Sequence, residues 1–506
     1  RKRYNRVKTH PQIKLFYDLF PKNTPPLFAK DRVFLTSEVI GTALLVAEAF
    51  IKKPDNYVII TNNLYSAQKV ISTLQTFVDN DDILFYPNDD LLFTEVLTAT
   101  KELEAQRIYT LFAASDKRKS HIYVANLSAA LKPTLEVNYF LNHTLKIKVG
   151  DTLGMEELTT KLLQLGYIRV SNVEQTMQFA VRGDIIDLYS VNEDHPTRIE
   201  FFDTEVESMR YFNVSTQVSI GKKEEIVVLP ASEYVLNKED QKDLISEINE
   251  KYKKETSGFE PTIMEAYLFN LQNDIETYLS GNNLALSKYL LLQPLFRHSF
   301  LCHVYNPKIV LANDSQLFAS YEIINEQAQH FVHDGARKNK LLPNTKLYLD
   351  FDELNQYYKY ITREFSEDGK EKELRFSPAQ DLRSKEDFAY LVKQYNNDNY
   401  TIYFSINNNT QLEQVKTLLE NNELSFSVDD TKSTAPIIIT TQYFPHGFVL
   451  ESHKIVLFTS KELFNITRNE MRYNARFKAG SVIRSHDQLT PGDYVVHEYH
   501  GIGQYV

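Results

Sequence analysis

Four short apolar runs near the start of the chain, 32–35 (RVFL), 57–61 (YVIIT), 83–86 (ILFY) and 121–125 (HIYVA), are separated by helix-length segments. The segment after the first run, 42–51 (TALLVAEAFI), offers Leu44, Leu45, Ala47 and Phe50 as core positions. The one after the second, NLYSAQKVISTLQTF, repeats Leu64, Ala67, Val70, Ile71 and Leu74 at the 3.6-residue spacing of an amphipathic helix. A third helix is expected over 101–112. Buried strands alternating with helices of this length define a parallel sheet with crossover helices, so the chain opens as α/β.

After Pro133 the pattern changes. Short strands are expected over 179–189 and 197–202, with a turn around 192–196, and they define an antiparallel α+β module. From about 229 the helical pattern returns, interrupted by the polar tract KYKKETSGFEP. The run 308–313 (KIVLAN) resembles one more buried strand of the opening sheet. A charged linker, 366–374 (SEDGKEKEL), precedes a compact strand–helix–strand–strand unit at 400–404, 412–419, 437–441 and 454–459. The segment 465–488 is polar and irregular and reads as a second linker. At roughly 150 residues per domain, 506 residues give three or four domains. The apolar share of 42% and the charged share of 24% suit several packed cores. The chain begins at Arg1 and stops within HGIGQYV, in what reads as a strand, so a fragment of a longer protein is expected.

Charge and cysteine count remove several functions. A net charge of −11 disfavours wrapping nucleic acid over the whole surface. The single cysteine, Cys302, allows no intrachain disulfide and no cysteine-based zinc site. No apolar run approaches the ~18–20 residues of a membrane span. The basic start RKRYNRVK lacks the apolar stretch of a secretory signal, and with 117–119 (KRK) it reads as solvated charge. A soluble, cytoplasmic chain is expected.

The usual catalytic templates are missing. A phosphate loop needs closely spaced glycines, a lysine and a hydroxyl. The loop after the first strand carries Ser37, Glu38, Gly41 and Thr42, with one glycine, no lysine and a glutamate where phosphate charge would sit. The end of the 308–313 strand, Asn313-Asp314, reads as a loop cap rather than a metal carboxylate. His497 and His500 stand three apart without a third ligand within reach by sequence, which favours a solvated pair over a metal site. Cys302 beside His303 reads as a small buried hydrophobe rather than half of a nucleophile pair.

Recognition chemistry is better marked. Between Tyr167 and Phe212 there are four arginines and nine acids, a net of −5, which opposes DNA binding by this module. In RIEFF, strand alternation places Arg198, Glu200 and Phe202 on one face and Ile199 and Phe201 on the other. Phe202 is then an aromatic on a polar face beside an arginine, the composition of an interface anchor. The alternative packs Phe202 under a loop and pairs Arg198 with Glu200 or Asp203. Arg182, next to Gly183, either joins the same patch or pairs with Asp184 or Asp187.

The stretch VRGDIIDLYSVNEDHPTRIEFFDTEVESMRYFNVSTQVS resembles the block shared by the excision-repair protein UvrB and the bacterial transcription-repair coupling factors (Mfd). NLYSAQKV and ELEAQRIYTL resemble the coupling factors' opening domain, and LTPGDYVVHEYHGIGQYV is similar to the start of their RNA-polymerase-interacting domain, which UvrB lacks. The resemblance covers most of the chain and is weakest between about 236 and 306. It implies a degenerate RecA-like domain in two halves, 1–134 and 231–365, interrupted by a UvrB-like UvrA-binding module at 135–230. The linker at 366–374, a small α/β domain at 375–462, a linker at 463–488 and the start of the polymerase-interacting domain at 489–506 complete the expected order. It also implies a non-catalytic N-terminal half that recruits UvrA through Arg182, Arg198 and Phe202, with no cofactor of its own. Binding to double-stranded DNA, and ATP with Mg²⁺, would belong to motor domains downstream. In the family that UvrA surface is masked at rest by a C-terminal domain, so this half alone is expected to bind UvrA constitutively. The rival readings are a UvrB-type ATP-dependent enzyme acting on damaged DNA, and a stand-alone interaction protein.

Overall fold

The computed structural model describes residues 34–35, 39–89, 101–281, 283–356, 359–363, 376–382, 384–429, 435–465, 494–497 and 501–504. They fall into two compact units: the described residues of Arg1–Leu141 with Leu236–Asn474, and those of Asn142–Val235 with Ala475–Val506.

The first unit holds an all-parallel, six-stranded sheet in the order Phe34–Leu35, Lys359–Arg363, Lys308–Leu311, Tyr57–Thr61, Ile122–Asn126, Ile83–Tyr86. The strand expected over 308–313 does join the opening sheet, with Lys308 opposite Tyr57 and Leu311 opposite Ile60. Every residue of Tyr57–Thr61 and Ile83–Tyr86 is buried, as strands covered on both faces must be. The helix expected over 42–51 starts earlier and spans Val39–Lys52. It is apolar on nearly every side because it is buried on nearly every side. One core cluster joins it to the helix Leu64–Leu74, to the parallel sheet through Ile59, Val124 and Val310, and to a second sheet through Tyr403, Ile438, Phe448 and Leu457. Phe77 and Phe444 meet across that junction with ring centroids 5.6 Å apart.

The second sheet runs Phe376–Pro378, Phe448–Leu450, Ile455–Thr459, Thr401–Ser405, Ile437–Thr440, Phe426–Val428; its first two pairings are antiparallel and the rest parallel. Strand alternation sorts its residues between two cores. Tyr403, Ile438, Ile455 and Leu457 face the core shared with the opening helices. Ile402, Phe404, Ile437, Ile439, Val456 and Phe458 pack with Phe388, Val392, Val415 and Leu419 of the helices Lys385–Asn397 and Asn409–Asn421. The first of these helices goes unread in the sequence, although Ser384 caps it by accepting from the Asp387 amide at 3.0 Å. The polar tract KYKKETSGFEP is a break only in part. Its first six residues end the helix Lys238–Thr256, and its proline opens the helix Pro261–Leu279.

In the second unit a six-stranded sheet is ordered Ser219–Lys223, Glu205–Phe212, Thr197–Phe202, Ile185–Leu188, Gln178–Arg182, Ile168–Arg169; all pairings are antiparallel except the last. The segment 179–189, expected as one strand, is a hairpin. Gly183 takes φ +55°, a left-handed conformation that suits glycine, and reverses the chain between Arg182 and Ile185. Separately, Tyr494–His497 and Gly501–Gln504 pair as an antiparallel ladder.

Three buried histidines of the first unit give it a defined response to acid. Burial pushes the imidazoles of His121, His303 and His446 down to about 4. The unfolded chain, with imidazoles near 6.5, then binds protons that the folded chain refuses. Their contribution to stability is complete above about pH 6.5 and is lost as pH falls from there toward 4. The urea midpoint should be level between pH 8 and 7 and decline from about pH 6.5 to 5, above the range where carboxylates titrate. A midpoint that holds steady down to pH 5 would contradict this.

Candidate functional site

The strand Thr197–Phe202 alternates as its sequence demands. Ile199 and Phe201 are buried, while Phe202 is 72% exposed. Phe202 sits at the end of a hairpin, paired with Glu205, where Asp203 turns the chain with φ +54°. Phe202 therefore packs under no loop. Its aromatic face is open to solvent beside a polar sheet surface.

That surface is organised by Asp187, which is 1% exposed and lies directly opposite Arg198. Arg198 grips it with two parallel bonds, Nε to Oδ1 at 2.7 Å and Nη2 to Oδ2 at 2.8 Å. Arg182 reaches the same Oδ2 with its Nη2 at 2.5 Å. The Asp187 bonds hold the Arg198 guanidinium above its already high ordinary value. The same guanidinium lies 4.6 Å from the centroid of the Phe212 ring, so it is fixed from two sides. Arg198 does not pair with Glu200 or Asp203. Glu200 is instead taken by Arg210 and by the Ser208 hydroxyl at 2.5 Å. Arg182 makes one of the two pairings open to it, the one with Asp187.

The three candidate residues thus share one sheet face. The arginine side chains differ in access, 44% for Arg182 and 16% for Arg198. Asp187, named in the sequence only as a partner for Arg182, is also the partner of Arg198; no local spacing says which acid faces Arg198 across a hairpin. This face presents two oriented cations and a bare aromatic ring, residue types enriched at interface hot spots.

Among the described residues, the remaining candidates do not assemble into a second site. Gly41 and Thr42 lie buried within the Val39–Lys52 helix, while Ser37 and Glu38 lie outside the described residues. Asn313 is the helix cap expected, accepting from the Gln316 amide at 3.3 Å. Burial pushes the Cys302 thiol up to about 12, the reverse of an activated nucleophile. His303 directs Nε2 to the Leu135 carbonyl oxygen at 2.9 Å. Of the histidine pair, the side chain of His497 and all of His500 lie outside the described residues. No group of three metal-ligating side chains occurs among the described residues, and no described helix is long and apolar enough to cross a membrane.

The fold defines a multidomain α/β protein that carries an antiparallel module. The model of the UvrB interaction domain family matches residues 145–234, the stretch that contains Arg182, Asp187, Arg198 and Phe202. Across most of its length the chain is similar to transcription-repair-coupling factors. It is 26% identical over 91% of its residues to that of Staphylococcus aureus strain USA300, and 26% identical over 92% to that of Staphylococcus haemolyticus. The relative in Staphylococcus epidermidis strain ATCC 12228 is 24% identical over 95% of the chain. The chain spans about two fifths of the length of these relatives, 41–42%. The resemblance read from the sequence is borne out.

The two neighbouring phenylalanines separate fold from surface. Phe202→Ala should leave the urea midpoint nearly unchanged, within about 0.5 kcal/mol, as expected for an exposed side chain. Phe201→Ala should destabilise the module by about 3–5 kcal/mol. Equal losses for the two would place Phe202 in the core and dissolve the candidate face.

Proposed function

We propose that this chain acts in transcription-coupled excision repair as a recruitment platform for UvrA, with Arg182, Arg198 and Phe202 as the contact residues. The observation that carries this is the exposed Phe202 ring on the same sheet face as two arginines anchored on one buried carboxylate. An aromatic held at the end of a hairpin loses little freedom on docking, and arginines already fixed by Asp187 need little further ordering. The match to the UvrB interaction domain and the similarity to coupling factors support UvrA as the partner. By this reading Gly41 and Thr42 belong to a vestigial nucleotide loop, and the chain needs no cofactor. RNA polymerase would bind through the domain begun at 489, a reading supported by the paired strands Tyr494–His497 and Gly501–Gln504. ATP with Mg²⁺ and double-stranded DNA would engage other parts of the whole protein, in the cytoplasm.

The test is calorimetric titration of UvrA with the chain. Phe202→Ala and Arg198→Ala should each weaken binding about tenfold or more, the loss typical of an interface hot spot. The unaltered chain should bind whether or not it has been incubated with ATP. Full-strength binding by both variants would remove the assigned contact face.

A further inference from the structure

A second recognition site, independent of the face described above, lies in the first unit. A cavity of about 340 Å³ is walled by Lys251 and Tyr252 of the Lys238–Thr256 helix, by Lys288 and Tyr289, and by Arg297 and Lys346. Its volume is at the small end of the range for small-molecule sites. In a chain of net charge −11, four cations converge on it, and no aspartate or glutamate is among the described residues that line it.

The cations are held in two ways. Arg297 donates Nε to the Leu291 carbonyl oxygen at 3.3 Å and Nη2 to that of Leu292 at 3.1 Å. Those bonds orient the guanidinium without cancelling its charge, which acts through space on Glu247. Lys288 is fixed on Asp274 at 2.6 Å, and the Tyr289 hydroxyl donates to the same carboxylate at 2.9 Å. The Tyr252 hydroxyl lies 3.2 Å from that of Tyr289, so the wall of the cavity is a hydrogen-bonded chain. The other two lysines have weak ties. Lys251 is 3.8 Å from Glu255, and the Lys346–Asp350 pair is largely exposed. Ion pairs this long or this exposed contribute little, so either lysine can turn to a ligand at little cost.

We propose that this cavity binds a small molecule carrying two or more adjacent phosphate groups. The remaining N–H groups of Arg297 and the ammonium groups of Lys251 and Lys346, with Lys288 held behind them on Asp274, match several closely spaced negative oxygens, which one carboxylate does not supply. The pocket is partly open, with Arg297 and Lys346 exposed at its rim and Lys288 and Tyr289 deeper, which leaves room for a free polyphosphate or the phosphates of a nucleotide.

Calorimetric titration of the whole chain with inorganic pyrophosphate tests this, with orthophosphate and a short DNA duplex as parallel arms. One pyrophosphate per chain should bind, more tightly than orthophosphate. Arg297→Ala should weaken it about tenfold, and Lys346→Ala, at an exposed position, by a few fold. Both variants should keep the thermal midpoint of the unaltered chain. No binding at millimolar pyrophosphate would overturn the proposal, as would equal binding by folded variants, which places the anion elsewhere. Orthophosphate binding as tight as pyrophosphate would remove the requirement for adjacent phosphates. Arg297-dependent binding of the duplex alone would reassign the surface to a nucleic-acid backbone.

Discussion

A single carboxylate, Asp187, organises one polar face of the antiparallel sheet. Almost wholly buried, it has Arg198 directly across the ladder and Arg182 on the flanking strand. A buried charge is tolerated only when paired, so the two arginines are a condition of the fold at that point. The same pairing holds both guanidinium groups on the sheet face that also carries Phe202. The fold and the proposed contact face therefore use the same three charges. Phe202 is the one member of the group that the fold does not need.

The first unit depends on a different constraint. Its second sheet is apolar on both faces and must be covered twice. Alternate residues of Thr401–Ser405, Ile437–Thr440 and Ile455–Thr459 serve the core shared with the opening helices and the core beneath the 385–421 helices. The Val39–Lys52 helix is buried nearly all round for the same reason, as part of the core that joins the two sheets. In the nucleotide-binding form of such a sheet, the turn into this helix would cradle phosphate. Here the helix buries Gly41 and Thr42 and offers no lysine in its first turns.

What was legible in the sequence was local in origin. The parity of Phe202 against Phe201 follows from two-residue alternation, and both sides of that expectation hold. The parallel sheet and its return strand at Lys308–Leu311 were legible because buried strands are short, apolar and bounded. The hairpin at Gly183 had a local mark that the single-strand reading passed over: Gly183-Asp184 separates the apolar runs on either side, as a two-residue reversal does. Asp187 as the shared partner was missed because strand register is a non-local property. The cationic cavity was equally invisible, since its walls come from separated segments of the chain.

The central claim, that the Arg182–Arg198–Phe202 face is where UvrA docks, is tested most directly by hydrogen–deuterium exchange of the chain with and without UvrA. The account predicts slowed exchange confined to the two neighbouring hairpins, around 182–187 and 197–206. Protection elsewhere in the chain, with these hairpins unchanged, would contradict it.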